Sequence, residues 1–194
     1  MSREHPLALH RAVPVIVIFV LGAVLLLALR GPLWWQRAYH PLRYTTAIES
    51  AADRHKLDPY LIAAVINAES GFDRSQVSHA GAVGLMQLMP STAEEVATAE
   101  GIAGAIDTER LKDADVNIAI GTRHLADLLG KYDDTETALA AYNAGSGNVD
   151  RWITEGKTTT LTVAQFPETR VYVERVLAEQ ARYRELYPEA FGGS

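Results

Sequence analysis

Two hydrophobic patterns divide the chain. Residues 12–29 form a run of eighteen residues without a charge, bounded by Arg11 and Arg30. After residues 36–42 the pattern becomes that of amphipathic α-helices. Residues 61–66, Leu-Ile-Ala-Ala-Val-Ile, are the exception, because they are continuously apolar. An uncharged run of eighteen residues nearly spans the hydrocarbon core of a bilayer. The pattern therefore predicts an N-terminal transmembrane helix followed by a mainly α domain.

Helix start signals set the order of elements in that domain. Asp58 followed by Pro59 is an N-cap before the residue favoured at the first helical position. Ser91 and Glu94 have the spacing of a capping box, which predicts a helix that begins there. The predicted helices are Tyr44–His55, one beginning at Asp58-Pro59, one beginning at Ser91, Asp113–Leu129, one from Asp133 or Asp134 to Ala141, and Arg170–Tyr187. The Thr-rich residues 158–163 fit either a loop or one short strand.

The N-terminal run also sets the predicted domain organisation. The chain is divided into a tail (residues 1–11), a transmembrane anchor (residues 12–35), a linker (residues 36–42) and a helical domain (residues 43–194). Trp34 and Trp35 suit an interfacial aromatic belt at the end of the anchor. A cleaved signal peptide is the alternative, although no clear small-x-small site follows the apolar run. The arginines that flank the run slightly favour a cytoplasmic C-terminus.

The charge of the chain excludes one class of partner. The formal net charge is −6, and residues 38–194 contain 14 basic and 23 acidic residues. A domain this acidic lacks the basic surface that nucleic-acid binding requires, so no nucleic acid is expected as a partner. The chain contains no cysteine, so neither a disulfide framework nor a thiolate metal site is expected.

Glu69 follows the continuous apolar run and is the first candidate for chemistry. On a helix it shares a face with Ile62, Val65 and Ile66, which predicts a position at the edge of a hydrophobic core. Apolar surroundings raise the pKa of a carboxyl, so Glu69 can keep a proton near neutral pH and act as a general acid. A surface glutamate at a frayed helix end is the alternative, because carboxylates are rarely buried.

Five short motifs follow one another in an order that carries a family resemblance. They are Glu69-Ser70, Gly84-Leu85-Met86-Gln87, Asn117-Ile118 with Gly121, Ala141-Tyr142-Asn143-Ala144-Gly145, and Glu168-Thr169-Arg170-Val171-Tyr172-Val173. With these motifs the chain resembles the catalytic domain of the family 1 lytic transglycosylases, which are related to soluble lytic transglycosylase and to goose-type lysozyme. The resemblance covers roughly residues 48–183 and implies a lysozyme-like helical fold.

The resemblance implies an activity on the bacterial cell wall. The implied reaction cleaves the bond between N-acetylmuramic acid and N-acetylglucosamine in peptidoglycan and leaves a 1,6-anhydro sugar. Ordinary glycosidases need two carboxyls. Attack by the sugar's own C6 hydroxyl needs no bound water, so Glu69 can serve as acid first and base second. Asp73, the nearest other acid, is expected to cap a loop rather than to share the catalysis.

The implied substrate also decides the expected location. Peptidoglycan glycan strands are the expected partner of the domain, and the cytoplasmic membrane is the expected partner of the N-terminal helix. Because peptidoglycan lies outside that membrane, we expect a single-pass protein with an extracytoplasmic catalytic domain. This expectation overrules the slight preference of the flanking arginines.

The resemblance also implies roles for residues around Glu69. Ser70 would bond the substrate or Glu69, or it would help Gly71 to end the helix. Gln87 would hydrogen-bond amide or hydroxyl groups of the substrate. Leu85, Met86, Leu88 and Met89 are expected in the core, and Met86 is the one among them that is also a candidate for lining the cleft.

Three aromatic and amide side chains from later motifs complete the expected site. Tyr142 and Asn143 would lie on the cleft wall, where a ring can face a sugar and an amide can bond an N-acetyl group. Judged without the resemblance, Tyr142 would be a core residue and Asn143 a helix C-cap. Tyr172 would lie near Glu69 and orient either that carboxyl or the acetamido group of the substrate.

No cofactor or metal is expected. Asp113, Asp115 and Asn117 imitate the start of a calcium loop, but Ile118 and His124 occupy the positions of its required glycine and bidentate glutamate. The histidines are scattered and none has the His-Glu-x-x-His spacing of a zinc site. Two alternatives to the lytic reaction stay open: a lysozyme-type muramidase, in which water attacks, and a noncatalytic peptidoglycan-binding module.

Overall fold

The computed structural model describes residues 14, 16–22, 24, 31–102, 104–156 and 166–192. The chain divides into two compact units, Met1–Pro41 and Leu42–Ser194. In the first unit, the described residues between positions 14 and 24 are helical, and helix α1 spans Leu33–Tyr39. Residues 36–39 of the predicted linker are therefore helical.

The predicted anchor falls partly on positions that are not described. Residues 12, 13, 15, 23 and 25–30 of the segment 12–35 lie outside the described part of the chain. Among the residues that are described, no helix combines the length and the apolar character needed to cross a membrane.

The second unit is helical. Its helices in the described ranges are α2 (Thr45–His55), α3 (Pro59–Ser70), α4 (Pro90–Glu100), α5 (Ala114–Lys131), α6 (Thr135–Ala144), α7 (Ser146–Gly156) and α8 (Pro167–Leu186), with a short 3₁₀ helix at Arg110–Lys112. Isolated bridges between Val77 and Val83 and between Val83 and Leu88 are the β-structure found in these ranges. The predicted mainly α class is confirmed. The predicted loop or strand at residues 158–163 lies outside the described residues.

Aspartates begin three of the helices. The side chains of Asp58, Asp113 and Asp134 accept backbone N–H bonds at the first turns of α3, α5 and α6, as expected for these N-caps. The predicted capping box at Ser91 is wrong, because α4 begins at Pro90 and no side chain caps it. Proline suits the first helical position, so the helix starts one residue before the serine.

Helix α7 was missed by the sequence pattern. None of the predicted helices covers residues 146–156, because only Gly145 separates α6 from α7. Gly145 has a φ of 86°, which ends α6 and turns the chain directly into the next helix.

Helix α3 lies in the middle of the core. Residues 61–66 are all buried, and none is more than 5% exposed. This burial explains the continuous apolar run, because a helix covered on all sides needs no polar face. Helix α3 packs along α8, whose Tyr172, Val176 and Tyr183 are also buried. Each large aliphatic side chain buried in this way stabilises the fold by about 1.5–3 kcal/mol.

Asn117 fastens the loop between α3 and α4 to helix α5. Its side chain is fully buried. Its Oδ1 accepts the N–H of Met86 at 2.8 Å, and its Nδ2 donates to the carbonyls of Val83 at 3.0 Å and Leu111 at 2.8 Å. Both amide protons and the carbonyl are thus used. The loop can approach this closely because residue 84 is glycine: a Cβ there would lie 2.3 Å from Asn117 Nδ2 and 2.4 Å from the Leu111 carbonyl oxygen.

We expect Gly84→Ala to destabilise the fold much more than Gly81→Ala. Both glycines have positive φ, 81° and 89°, but a Cβ at Gly81 would meet nothing within 4 Å. The backbone strain of a positive φ costs about 1–2 kcal/mol in either variant. The clash with Leu111 and Asn117 should bring the loss at Gly84 to about 3 kcal/mol or more. Urea unfolding followed by circular dichroism measures both losses, and equal losses would contradict the close approach.

Candidate active site

Glu69 lies in the last turn of α3, at a well-defined helix end. Helix α3 ends at Ser70, and Gly71 adopts a φ of 59° with its N–H bonded to the Asn67 carbonyl at 3.0 Å. The Glu69 side chain is partly buried. Its position directly after the buried residues 61–66 is the edge-of-core position that the apolar pattern predicted, and the helix end is not frayed.

The surroundings of Glu69 favour its protonated form. Burial raises the pKa of Glu69 from 4.5 to about 7, because the carboxylate loses hydration. The nearby Tyr172 hydroxyl and the positive charge of Arg175 lower the pKa, but they offset only part of the effect of burial. Glu69 can therefore either give or accept a proton near pH 7.

Tyr172 brings a buried hydroxyl close to Glu69. Tyr172 is only 5% exposed, and its hydroxyl oxygen makes no hydrogen bond of normal geometry within the described part of the chain. It is still near enough to lower the pKa of Glu69. Burial and then the charge of Glu69 raise the pKa of Tyr172 well above its ordinary value. A buried hydroxyl without a bond costs free energy, which a polar ligand group at this position can recover.

A cleft of about 760 Å³ opens beside Glu69. Its volume falls in the range of roughly 300–1,000 Å³ that is usual for ligand sites. Four of the seven predicted site residues line this cleft, namely Glu69, Gln87, Tyr142 and Asn143. The structure therefore brings together residues from α3, from the following loop and from α6.

Tyr142 forms one wall of the cleft and is held at both its ring and its hydroxyl. The hydroxyl donates to the Met86 carbonyl at 2.9 Å, and the ring lies 5.4 Å from the His124 ring, centroid to centroid. Burial and the charge of Glu69 raise the pKa of Tyr142 well above its ordinary value. Tyr142 is thus a partly buried packing residue and a cleft residue at once, while Asn143 next to it is exposed.

Gln87 is fixed by the backbone of its own loop. It has a φ of 47°, and its Nε2 donates to the carbonyls of Gly84 at 2.9 Å and Gln76 at 3.3 Å. These bonds use the amide protons and leave Oε1 to accept a bond from a ligand. The positive φ of Gln87 and its two hydrogen bonds together define where this oxygen lies in the cleft.

Ser70, Met86 and Tyr172 do not line the cleft. The Ser70 hydroxyl lies 2.8 Å from the Leu85 carbonyl and 3.2 Å from the Ile66 carbonyl, so it joins the end of α3 to the following loop. The Met86 side chain is fully buried against Gly121, where a Cβ would lie 2.4 Å from the Met86 sulfur. These placements differ from the substrate contacts that the resemblance implied for Ser70 and Met86. Their physical reason is that Ser70 satisfies a loop carbonyl and Met86 fills the space that Gly121 leaves.

Met89, and not Met86, borders the cleft. Met89 is 40% exposed and lines the cleft, whereas it had been expected in the core. Other lining residues that the sequence did not single out are Ser78, Thr92, Glu95, His124 and Lys131. Their only sequence signal is helical spacing, as in Thr92 with Glu95 and His124 with Lys131. That spacing does not tell which helix face borders a cleft.

Asp73 lies outside the cleft, and the described residues contain no cluster of metal-ligating side chains. Asp73 is exposed and accepts bonds from the Ser75 backbone N–H at 2.9 Å and hydroxyl at 2.6 Å, and these bonds lower its pKa. It is a loop cap, as the sequence analysis preferred, and it does not line the cleft. Within the described ranges, no three histidine or carboxylate side chains come together as a metal site would require.

Glu69→Gln is expected to stabilise the folded protein at pH 8 and to leave its stability nearly unchanged at pH 4. The folded-state pKa of about 7 lies above the unfolded value of 4.5, so ionisation penalises folding. The penalty is absent below pH 4.5, grows as the pH rises through 7 and is constant above it. Because Glu69 is partly exposed, we expect about 1–3 kcal/mol in urea unfolding at pH 8.

Asp73→Asn provides a control of opposite sign. Its pKa is lowered by the bonds from Ser75, so the wild-type carboxylate favours folding above its unfolded pKa. We therefore expect the Asn variant to be slightly less stable at pH 8. A Glu69→Gln stability curve that runs parallel to the wild type from pH 4 to pH 8 would mean that Glu69 titrates normally.

The chain is similar in sequence to a known protein family and to several of its members. The family model of the transglycosylase SLT domain matches residues 46–162. Membrane-bound lytic murein transglycosylase F of Desulfosudis oleivorans is 44% identical over 122 residues, which cover 59% of this chain and 25% of that protein. Soluble lytic murein transglycosylase of Escherichia coli K12 is 33% identical over 150 residues, which cover 74% of this chain and 23% of that protein.

The fold is also similar to that of a solved structure. The X-ray structure of an inactive mutant of a Pseudomonas aeruginosa lytic transglycosylase, in which glutamine replaces a glutamate, aligns with a TM-score of 0.70 at 31% identity. The alignment covers 81% of this chain and 26% of that one. The chain thus spans about a quarter of the length of the relatives it matches. The helices around a cleft and the family match over more than half of the chain lead to one conclusion: the chain belongs to the transglycosylase SLT domain family and has its lysozyme-like helical fold.

Proposed function

We propose that the protein is a peptidoglycan lytic transglycosylase. It would cleave the bond between N-acetylmuramic acid and N-acetylglucosamine without hydrolysis and leave a 1,6-anhydro end. Glu69 is the observation that carries this proposal, because it is a partly buried carboxyl with a pKa of about 7 at a large cleft. The names of the relatives support it, and so does the inactive mutant with glutamine in place of a glutamate. Those names belong to longer proteins, so the activity of this chain is part of the proposal.

The titration of Glu69 favours a reaction with one catalytic carboxyl. Two-carboxylate glycosidases place the second carboxyl within roughly 5–9.5 Å of the first, and a carboxylate that close raises the pKa of its neighbour. Burial, Tyr172 and Arg175 account for the pKa of Glu69, and no second carboxylate in the described residues contributes. Glu95 and Asp127 also line the cleft, and neither is among the causes of the raised pKa of Glu69.

One carboxyl can serve both halves of the proposed reaction. Glu69 first donates its proton to the glycosidic oxygen, and the bond between that oxygen and C1 of the N-acetylmuramic acid breaks. The Glu69 carboxylate then accepts the proton of the C6 hydroxyl while O6 forms a bond to C1. Glu69 is protonated again at the end, and no water is consumed. A pKa near the working pH suits a group that must act first as acid and then as base.

We propose supporting roles for the other predicted residues, within a catalytic domain of residues 43–194. Tyr142 and Asn143 would contact the sugar ring and an N-acetyl group, and Gln87 would accept a bond through Oε1. The unbonded Tyr172 hydroxyl would bond the acetamido group or Glu69. Ser70 and Met86 would act from behind the cleft by holding the α3 end and the loop.

Two alternatives predict different properties for this site. A muramidase would need to activate a water molecule, for which glycosidases ordinarily use a second carboxyl. A noncatalytic binding module would have no use for a carboxyl whose burial costs stability when it ionises. The single tuned carboxyl therefore favours the lytic reaction over both.

We also propose that residues 12–35 anchor the protein in the cytoplasmic membrane, with residues 43–194 outside. The support is the uncharged run 12–29, the exposed Trp34 and Trp35 that follow it, and a relative named as membrane-bound. The Escherichia coli relative is named as soluble, so the anchor needs its own experiment.

The purified full-length chain is expected to release 1,6-anhydromuropeptides from peptidoglycan, and Glu69→Gln is expected to abolish the release. Glutamine keeps the shape of the side chain but cannot deliver a proton, and the loss of acid catalysis should reduce the rate by about a hundred- to ten-thousandfold. Mass spectrometry of the digest identifies the product ends. Asp73→Asn is the matched control, because it neutralises an exposed carboxylate outside the cleft and should keep the wild-type rate.

Each alternative outcome has a clear meaning. Products that carry only reducing ends would assign the protein as a muramidase. Binding to peptidoglycan without any released product would assign a noncatalytic module. If Glu69→Gln kept more than about a tenth of the rate, the acid role would belong to another residue.

The full-length protein is expected to stay in the membrane fraction after a high-salt wash. Apolar burial in a bilayer is not screened by salt, whereas attraction between surface charges is. Protease added to spheroplasts should digest residues 43–194, because the proposed orientation exposes them. A shortened form in the soluble fraction would indicate a cleaved signal peptide. Protection of the domain in intact spheroplasts would support the orientation that the flanking arginines favour.

A further inference from the structure

Two arginines of helix α8 bind the two ends of helix α3. Arg184 donates to the carboxylate of Asp58, the N-cap of α3, at 2.8 Å, and Gln180 bonds the same carboxylate oxygen. Arg175 donates to the carbonyl of Ala68 at the other end. The two sites are about 15 Å apart along the helix, at 1.5 Å per residue. Only the Arg175 end carries Glu69.

Arg175 occupies a place where a positive charge has two effects. The last carbonyls of a helix have no intrahelical partner, and the helix dipole makes this end negative, so a cation that bonds a terminal carbonyl is favourable. The same dipole disfavours a carboxylate in the last turn, where Glu69 lies. Arg175 bonds the residue immediately before Glu69. Its charge therefore lies beside the carbonyls and beside the carboxyl.

We propose that Arg175 is a positioning residue that fixes the C-terminal turn of α3 and stabilises the Glu69 carboxylate formed when the proton leaves. This inference rests on the proposed function, in which Glu69 is the acid. Without the guanidinium, burial and the helix dipole would both oppose loss of the proton, and Glu69 would be a weaker acid. Arg175 would act through Glu69 and would not need to touch the substrate.

Glu95, His124, Asp127 and Lys131 line the same cleft as Glu69. The groups whose electrostatic interaction with Glu69 is resolved come from two helices. Helix α8 contributes Tyr172 and Arg175, and helix α6 contributes Tyr142. Both tyrosines have pKa values well above their ordinary value, so they stay neutral while Glu69 titrates. The loop side presents the Gln76 amide, which donates to the Glu69 backbone carbonyl at 3.4 Å and does not titrate. Arg175 is therefore the cation among these groups.

The expected contribution of Arg175 is moderate because its side chain is exposed to solvent. An opposite charge within about 4–6 Å can lower a carboxyl pKa by 1–3 units, but solvent screening reduces this effect. We expect the pKa of Glu69 to rise by about half a unit to one unit when the charge is removed. At pH values where Glu69 is fully protonated, this weaker acid should lower kcat by about twofold to threefold, with KM nearly unchanged.

Arg175→Gln in the full-length protein tests the proposal, because glutamine keeps a polar side chain with amide donors but has no charge. Carboxyl-selective ¹³C NMR measures the pKa of Glu69, and the pH profile of anhydro-product release gives the same quantity during catalysis. We expect both to move upward. In the profile, the limb at which activity falls with rising pH should shift to higher pH, since an acid must be protonated. Arg175→Lys, which keeps the charge, should retain a pKa near the wild-type value.

Arg184→Gln is the matched control, because it removes an arginine of α8 that also bonds α3 but at the end without Glu69. It should lose stability in urea while the Glu69 pKa and the pH profile stay unchanged. Equal shifts in Arg175→Gln and Arg184→Gln would overturn the proposal, and so would a Lys variant as shifted as the Gln variant. The NMR titration needs no activity. A wild-type protein without anhydro products would therefore refute the proposed function and still leave the effect of Arg175 on Glu69 measurable.

Discussion

Helix α3 is buried on every side from Leu61 to Ile66, and the same burial sets the chemistry at its end. Each large aliphatic side chain in this run stabilises the fold by about 1.5–3 kcal/mol. Ionisation of Glu69 costs about 1.4 kcal/mol for each unit by which its pKa is raised. The stabilisation from several buried side chains therefore exceeds the free-energy cost of ionising Glu69. The fold can keep Glu69 at the edge of the core because the rest of the helix supplies the stability.

The opposite side of the cleft is held by groups that do not titrate where Glu69 does. Asn117 bonds the backbone of Met86, and the Met86 carbonyl accepts the Tyr142 hydroxyl. These are neutral hydrogen bonds, and burial raises the pKa of Tyr142 far above neutrality. Burial lowers the pKa of His124, which lies beside the Tyr142 ring, and thereby favours its neutral form. Glu69 can thus gain and lose its proton without changing the wall that faces it.

Local signals predicted most of the helices, and competing local signals explain the errors. The predicted caps at Asp58 and at Asp134, one of two candidates, were confirmed, because an N-cap needs only neighbouring backbone N–H groups. Ser91 does not cap α4, because the helix already begins at Pro90, a residue that suits the first helical position. Helix α7 was missed because one glycine is enough to separate it from α6. Which of the two methionines borders the cleft depends on the space above Gly121, which no local pattern reveals.

The placement of Tyr172 could not be predicted from spacing, because more than a hundred residues separate it from Glu69. The family resemblance supplied it, while the apolar run supplied Glu69 alone. Once α8 is packed along α3, helical geometry does the rest: Tyr172 and Arg175 are three residues apart and share one face. Tyr172 brings a buried neutral hydroxyl to Glu69, and Arg175 brings an exposed positive charge. Both lower the pKa of Glu69, which burial raises. Because burial changes little with salt and an exposed charge is screened by it, the acidity of Glu69 combines a fixed contribution with an adjustable one.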